Sequence, residues 1–116
     1  MIKECVVSDQ LKIVENNGMS VARLIGRVDA KCVQDIGESL KAQANGVLAI
    51  DMSKVSFIDS SALGLIVSTY RRNQEAGGKF CLFGMSAQVR AVFELTRLHR
   101  IFDIFETEEQ ALASLV

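Results

Sequence analysis

A single histidine among 116 residues removes most hydrolytic chemistry at the outset. A catalytic serine needs a base within reach. His99, in Thr96-Arg97-Leu98-His99-Arg100, falls between a helix and a strand and reads as a surface residue. Cysteines number three, and Cys5, Cys32 and Cys81 are far apart with no metal-ligand spacing. That argues against a disulfide framework or a zinc site and for reduced thiols in a cytoplasmic protein. No apolar run approaches the roughly 20 residues of a membrane span, and Met1-Ile2-Lys3-Glu4-Cys5 lacks the basic-then-apolar layout of a secretory signal. The net charge is −1, so no global field attracts nucleic acid or anionic lipid. Arg71, Arg72, Lys79, Arg90, Arg97 and Arg100 gather in the second half, but no aromatic residues interleave with them as stacking platforms. Proline is absent as well, and no function is implied by that.

Enzymatic motifs fail one by one. Asp59-Ser60-Ser61-Ala62-Leu63-Gly64 lacks the glycine two before the serine that a nucleophile elbow uses. Ala76-Gly77-Gly78-Lys79-Phe80 has neither the upstream glycine nor the Ser or Thr of a phosphate loop. Asp29, Asp51 and Asp59 have no ligand spacing, and Asp51 reads as the end of a strand. The expectation is a non-enzyme with no cofactor and no metal.

What is present is an alternation of elements. Residues 1–9 read as a short strand or a lead-in. Leu11-Lys12-Ile13-Val14 and Met19 to Ile25 flank Glu15-Asn16-Asn17-Gly18, whose Asn-Gly suits a tight type I′ hairpin turn. Asp29 is a natural N-cap for a helix carrying Val33, Ile36, Gly37, Leu40 and Ala44, ended by Asn45 or Gly46 in a left-handed conformation. Val47 to Ile50 lacks alternation, as in a strand covered on both faces. A helix from about Ser61 stops at Gly77-Gly78. Lys79 to Gly84 is a strand, and Ser86 caps a helix carrying Val89, Val92, Phe93 and Leu95. Ile101 to Phe105 is a last short strand, and Thr107 with Gln110 has capping-box spacing ahead of a terminal helix through Ala111, Leu112 and Leu115. The order predicts one α/β domain over residues 1–116, with a mixed sheet of an N-terminal hairpin then parallel strands, and about four to five helices. Strand-to-helix turns of such a sheet gather at one edge. Asp29, Asp59, Ser60, Ser61, Met85 and Ser86 all belong to such turns.

The richest stretch is Val55 to Ile66. Leu63, Ile66, Val67 and Tyr70 share one helix face, and Asp59, Ser60 and Ser61 stand just before it. They read plainly as capping residues. They also read as a serine hydroxyl held out beside free amides and a positive helix end, a place that accommodates phosphate.

Taken together, Leu24-Ile25-Gly26-Arg27-Val28-Asp29, Val47 to Asp51, Phe57 to Gly64, Gly77-Gly78, Ser86 with Val89 and Phe93, and Phe105 to Leu112 make the chain resemble a STAS domain. Specifically, it resembles the free-standing bacterial anti-sigma factor antagonists. The similarity runs from about Leu11 to Leu115. The resemblance implies that Ser61, the second serine of Asp-Ser-Ser, is a phosphoacceptor, with Ser60 the runner-up. It also implies that Asp29, Asp59, Ser60, Ser61, Ala62 and Leu63 meet a partner. It implies a partner-switching circuit: the unphosphorylated protein binds an anti-sigma serine kinase, which phosphorylates it and is released, and a PP2C-like phosphatase restores it. The antagonist is then a cytoplasmic monomer, bound to neither nucleic acid nor membrane. Ala62 replaces a glycine frequent in such antagonists, and Cys32 and Val33 occupy a commonly polar helix start, which would alter partner choice. A non-switching STAS module of a transporter or other regulatory complex is the alternative, and a small-nucleotide sensor is a third.

Overall fold

In a computed structural model describing residues 2–116, the chain forms β1 (Ile2–Ser8), β2 (Leu11–Asn16), β3 (Met19–Val28), α1 (Ala30–Lys41), β4 (Val47–Ile58), α2 (Ser60–Glu75), β5 (Lys79–Phe83), α3 (Ala87–Leu95), a 3₁₀ turn at Leu98–Arg100, β6 (Ile104–Phe105) and α4 (Glu108–Ser114). The lead-in expected over residues 1–9 is strand β1, apart from Met1, which lies outside the described residues. The six strands lie side by side in chain order. β1, β2 and β3 pair antiparallel, and β3, β4, β5 and β6 pair parallel. The mixed sheet has the predicted form, with four α-helices and one 3₁₀ turn.

Period-two alternation explains how the sheet holds two cores. Ala22, Leu24, Leu48, Ile50 and Leu82 point to one face, where α1, α2 and α3 bring Ile36, Leu40, Ile66 and Phe93. Val21, Ala49, Cys81 and Phe83 point to the other, where α4 brings Ala111 and Leu115. The central strands are covered twice, hence the unbroken apolar run at Leu48-Ala49-Ile50.

Local chemistry sets the boundaries. Asn17 (φ 53°) and Gly18 (φ 80°) make the turn between β2 and β3. The Thr107–Gln110 capping box is formed in both directions. Gly77 (φ 74°) ends α2. Other expectations are overturned. Neither Asn45 nor Gly46 is left-handed: α1 stops at Lys41 and the chain leaves through a run of right-handed turns from Ala42. β4 does not end near Ile50 but runs to Ile58. Asp51 is therefore no strand end. It is buried in mid-strand, where Arg23 Nη1 meets its Oδ2 at 2.8 Å and Glu108 Oε1 at 2.7 Å. This network ties the start of α4 to the sheet, and the hydrogen bond to Glu108 holds the Arg23 guanidinium above its ordinary pKa despite its partial burial, helped by Asp51. β6 is only Ile104–Phe105, because Phe102 turns inward to pack edge-on against Tyr70 and Phe93. Leu95 lies on the outer side of α3 and is exposed.

Cys5 is exposed, while Cys32 and Cys81 are buried. Burial pushes the Cys81 thiol up to about 11, Asp103 adds to this, and the Ser114 hydroxyl opposes it. In dilute native protein one thiol is expected to react promptly with an aromatic disulfide reagent, and all three after unfolding. A thiol whose pKa is raised keeps a proton that the unfolded chain surrenders. Stability is therefore expected to fall as pH rises from about 9 towards 11, read as a declining denaturant midpoint.

Candidate functional site

β3 and β4 both carry their chains to the same end of the sheet, and a helix starts immediately after each. Before it gets there, β3 bends. Gly26 adopts φ 82°, within a segment where the β3–β4 register shifts twice. A bulge of this kind re-aims the residues beyond it. Gln10 Nε2 pins the bend by donating to Arg27 O at 2.6 Å and Ile25 O at 3.2 Å.

Beyond the bend, Asp29 and Asp59 stand side by side. Asp29 Oδ1 accepts from Cys32 N at 3.1 Å and caps α1. Asp59 Oδ1 accepts from Ala62 N at 3.0 Å and caps α2, while its Oδ2 reaches across to accept from Ala30 N at 3.1 Å. One carboxylate therefore serves two helix starts. Its partners explain why an aspartate suits this position: two amide donors on two different helices need two acceptor oxygens on one short side chain. Beneath them Cys32 is buried, its thiol raised chiefly by desolvation and further by Asp29, Asp35 and Asp59.

The structure thus brings Asp29, Asp59, Ser60 and Ser61 to one edge. Ser60 is exposed and Ser61 half-buried, less open than a hydroxyl held fully out to solvent. Among the described residues neither hydroxyl takes a protein partner, and the amides of Ser60 and Ser61 remain without an acceptor in the opening turn of α2. Ala62 (0% exposed) and Leu63 (8%) differ from the expectation. Their side chains point into the core on the buried helix face, so they support the loop from below and offer a partner no side-chain surface. Cys32, buried, likewise cannot alter a docking surface directly, whereas Val33 is half-buried at the seam between α1 and α2. Met85 and Ser86 come after β5, which pairs only as far as Asp51 opposite Phe83, so the end of β4 extends past them. The start of α3 packs beside that extension, with Val89 and Val92 near Phe57 and Ile58.

Two residues that the sequence marks only as parts of longer motif stretches lie here. Phe57 is 37% exposed on the β4 extension, and the Arg27 guanidinium lies over its ring, 4.1 Å from the centroid. Arg27 and Phe57 are register partners, so the contact is a consequence of the strand pairing. Arg27 also leans on Asp29, Nε to Oδ2 at 3.9 Å. The place of Phe57, out of phase with the buried Ile58, was the available signal. Among the described residues no group of three or more His, Cys, Asp or Glu is arranged to hold a metal.

The site is therefore a surface: two carboxylates, two unpaired amides, two hydroxyls and one arginine-backed ring. It has the parts of a contact face, and nothing in it pairs a nucleophile with a base. Similarity to known proteins gives the family of the chain. The STAS domain model matches residues 10–111. The chain is 31% identical over 86 residues to the anti-sigma-B factor antagonist of Listeria monocytogenes, covering 72% of this chain and 75% of that protein. The fold matches an anti-sigma-factor antagonist (STAS) domain protein from Planctomyces limnophilus with TM-score 0.81 at 20% identity, over 91% of this chain and 97% of that one. It also matches the Bacillus anti-sigma factor antagonist SpoIIAA. The unphosphorylated form gives TM-score 0.70 at 24% identity over 97% and 93% of the two chains, and the phosphorylated form gives 0.68 at 23% over the whole of both. A hairpin-led mixed sheet, a capped Asp-Ser-Ser turn and a match across most of its length all say the same thing: this chain belongs to the STAS domain family.

Proposed function

We propose that this protein is an anti-sigma factor antagonist acting in the cytoplasm and switched by phosphorylation of Ser61. Unphosphorylated, it binds an anti-sigma serine kinase through the edge formed by Asp29, Asp59, Ser60 and Ser61, with Phe57 as an apolar anchor. The kinase phosphorylates Ser61 and leaves, and a PP2C-like phosphatase resets the hydroxyl. The observation that carries this reading is the pair of carboxylates at the opening turn of α2, with the Ser60 and Ser61 hydroxyls unpartnered beside them. The helix start tolerates an added anion, because its free amides and positive dipole end face it. A docked partner does not tolerate it so easily. Phosphate brings about −1.5 to −2 charge to an edge already holding two carboxylates, and burying that anion without a cation costs several kcal/mol. The kinship with anti-sigma factor antagonists supports the partner class, and the existence of SpoIIAA in both phosphorylation states supports the switch.

Exposure alone would favour Ser60 as acceptor; its neighbour is assigned from its place in the family motif. Tandem mass spectrometry after incubation with the kinase and ATP is expected to place phosphate on Ser61, and Ser61→Ala is expected to abolish incorporation while keeping kinase binding. Phosphate confined to Ser60 would refute the assignment. Phe57→Ala is expected to weaken kinase binding roughly tenfold, as loss of one aromatic anchor does, with the chain still folded.

A further inference from the structure

The two edges of the sheet differ. β6 is two residues long, whereas β1 runs for seven, Ile2–Ser8, and pairs only on its β2 side. The outward backbone groups of a long edge strand invite another strand unless charge, proline or a bulge blunts them. β1 contains no proline and only two charged residues, Lys3 and Glu4, and its irregularity falls at its far end, between Val6 and Ser8. On one face Ile2 and Val6 are each 65% exposed, with Glu4 between them already paired to Lys12 at 2.9 Å. On the other face Cys5 and Val7 line an open groove of about 500 Å³ whose inner wall is Ile13 and α1.

We propose that this edge pairs with the same edge of a second copy, β1 against β1, antiparallel about a twofold axis at Cys5. Charge and parity set the register. A twofold axis normal to the sheet keeps each face continuous only if it passes through a residue, which then faces itself. An axis at Lys3 or Glu4 sets like charges against each other, which is unfavourable. An axis at Val6 leaves Ile2 opposite Gln10, beyond the end of the strand. With the axis at Cys5, Ile2 lies opposite Ser8, Lys3 opposite Val7 and Glu4 opposite Val6, so no like charges face each other and the whole strand is used. Ile2 and Val6 gain cross-strand neighbours in Ser8 and Glu4 of the second copy, and the second copy's strand supplies the groove's missing outer wall. The Ser61 turn comes after β4, three strands away, so both copies keep that edge free, and the proposal stands independently of the phosphorylation reading.

Sedimentation equilibrium under reducing conditions, from about 10 to 500 μM protein, tests the pairing. The unmodified chain is expected to move from monomer to dimer across that range. Val6→Glu, which sets a carboxylate opposite Glu4 of the second copy, is expected to weaken the dimer at least tenfold. Val6→Lys, opposite the same carboxylate, is expected to leave it as strong or stronger. Val6 is exposed, so both variants fold, as circular dichroism will verify. The register is read separately by oxidation with diamide. Cys5 is expected to form an intermolecular disulfide, because directly opposed residues sit within bridging distance. Lys3→Cys in a Cys5→Ser background is expected not to link to itself but to link to Val7→Cys in the same background. A chain that stays monomeric throughout, equal weakening by Val6→Glu and Val6→Lys, or self-linking of the Lys3→Cys variant would each overturn the proposal.

Discussion

Ser61→Asp is expected to lower affinity for the anti-sigma kinase a hundredfold or more while moving the melting temperature by no more than about 2 °C. The two halves of that expectation have different physical sources. On the docking side, a hundredfold loss is about 2.7 kcal/mol, less than the cost of burying an unpaired carboxylate. Asp29 and Asp59 already give this edge two negative groups, both engaged with backbone amides. The nearby Arg27 is committed to the Phe57 ring and to Asp29. On the folding side, an anion in the first turn of a helix gains about 0.3–1 kcal/mol from the dipole and the free amides, which offsets repulsion from the neighbouring carboxylates in water. A fall in affinity accompanied by a fall of many degrees in melting temperature would mean that the substitution acts by disrupting the turn. Titration calorimetry and a thermal scan on the same preparation separate the two cases.

Gly78→Ala is expected to destabilise the fold by about 3 kcal/mol or more, from overpacking and a lost buried hydrogen bond together. For a chain of this size that is a fall of roughly 10 °C in melting temperature. Gly78 has no left-handed backbone, so conformational freedom is not its reason. Its reason is crowding. A methyl group there would overlap the carbonyl oxygen of Gly46 and come within 2.6 Å of Asn73 Nδ2. Asn73 is fully buried, and its amide donates to Gly46 O at 2.8 Å, Ala44 O at 3.2 Å and Lys79 O at 3.2 Å. One side chain thus fastens the exit from α1, the entry to β5 and the end of α2. Gly77→Ala provides the contrast. Its Cβ would meet nothing within 4 Å, and the cost is only that of a left-handed backbone at φ 74°, about 1–2 kcal/mol. Equal losses for the two variants, measured by urea unfolding, would contradict this account.

These two glycines also show where sequence reading works and where it ends. The pair is legible as a helix stop, because glycine after a periodic segment acts through local backbone geometry. That the second of them is needed for clearance depends on Asn73 and Gly46, which local pattern does not connect to it. The same division runs through the site. Asp29, Asp59, Ser86 and Thr107 are readable as caps, since a cap and its amide lie three residues apart. The carboxylate of Asp59 bridging to Ala30 is not, because strand pairing alone brings them together. The extent of β4 is hidden for a related reason. Past Asp51 it pairs only with β3, so Ser53, Lys54, Ser56 and Phe57 are exposed and the segment has the composition of a loop. Asp51 misleads because its partner Arg23 lies 28 residues away in sequence, and Glu108, which Arg23 also binds, lies 85 residues from Arg23. Ala62 and Leu63 belong to the contact surface by motif, and helix phase puts them inside.

In the proposed switch, the charge state of the Ser61 hydroxyl controls docking at an otherwise unchanged edge. The most direct measurement is the affinity of the anti-sigma kinase for this protein before and after stoichiometric phosphorylation of Ser61, with amide hydrogen exchange recorded on both forms. The expected result is a loss of affinity of at least a hundredfold, with exchange altered only around Asp29–Val33 and Asp59–Leu63. Equal affinities for the two forms, or altered exchange spread through β4 and α2, would contradict it.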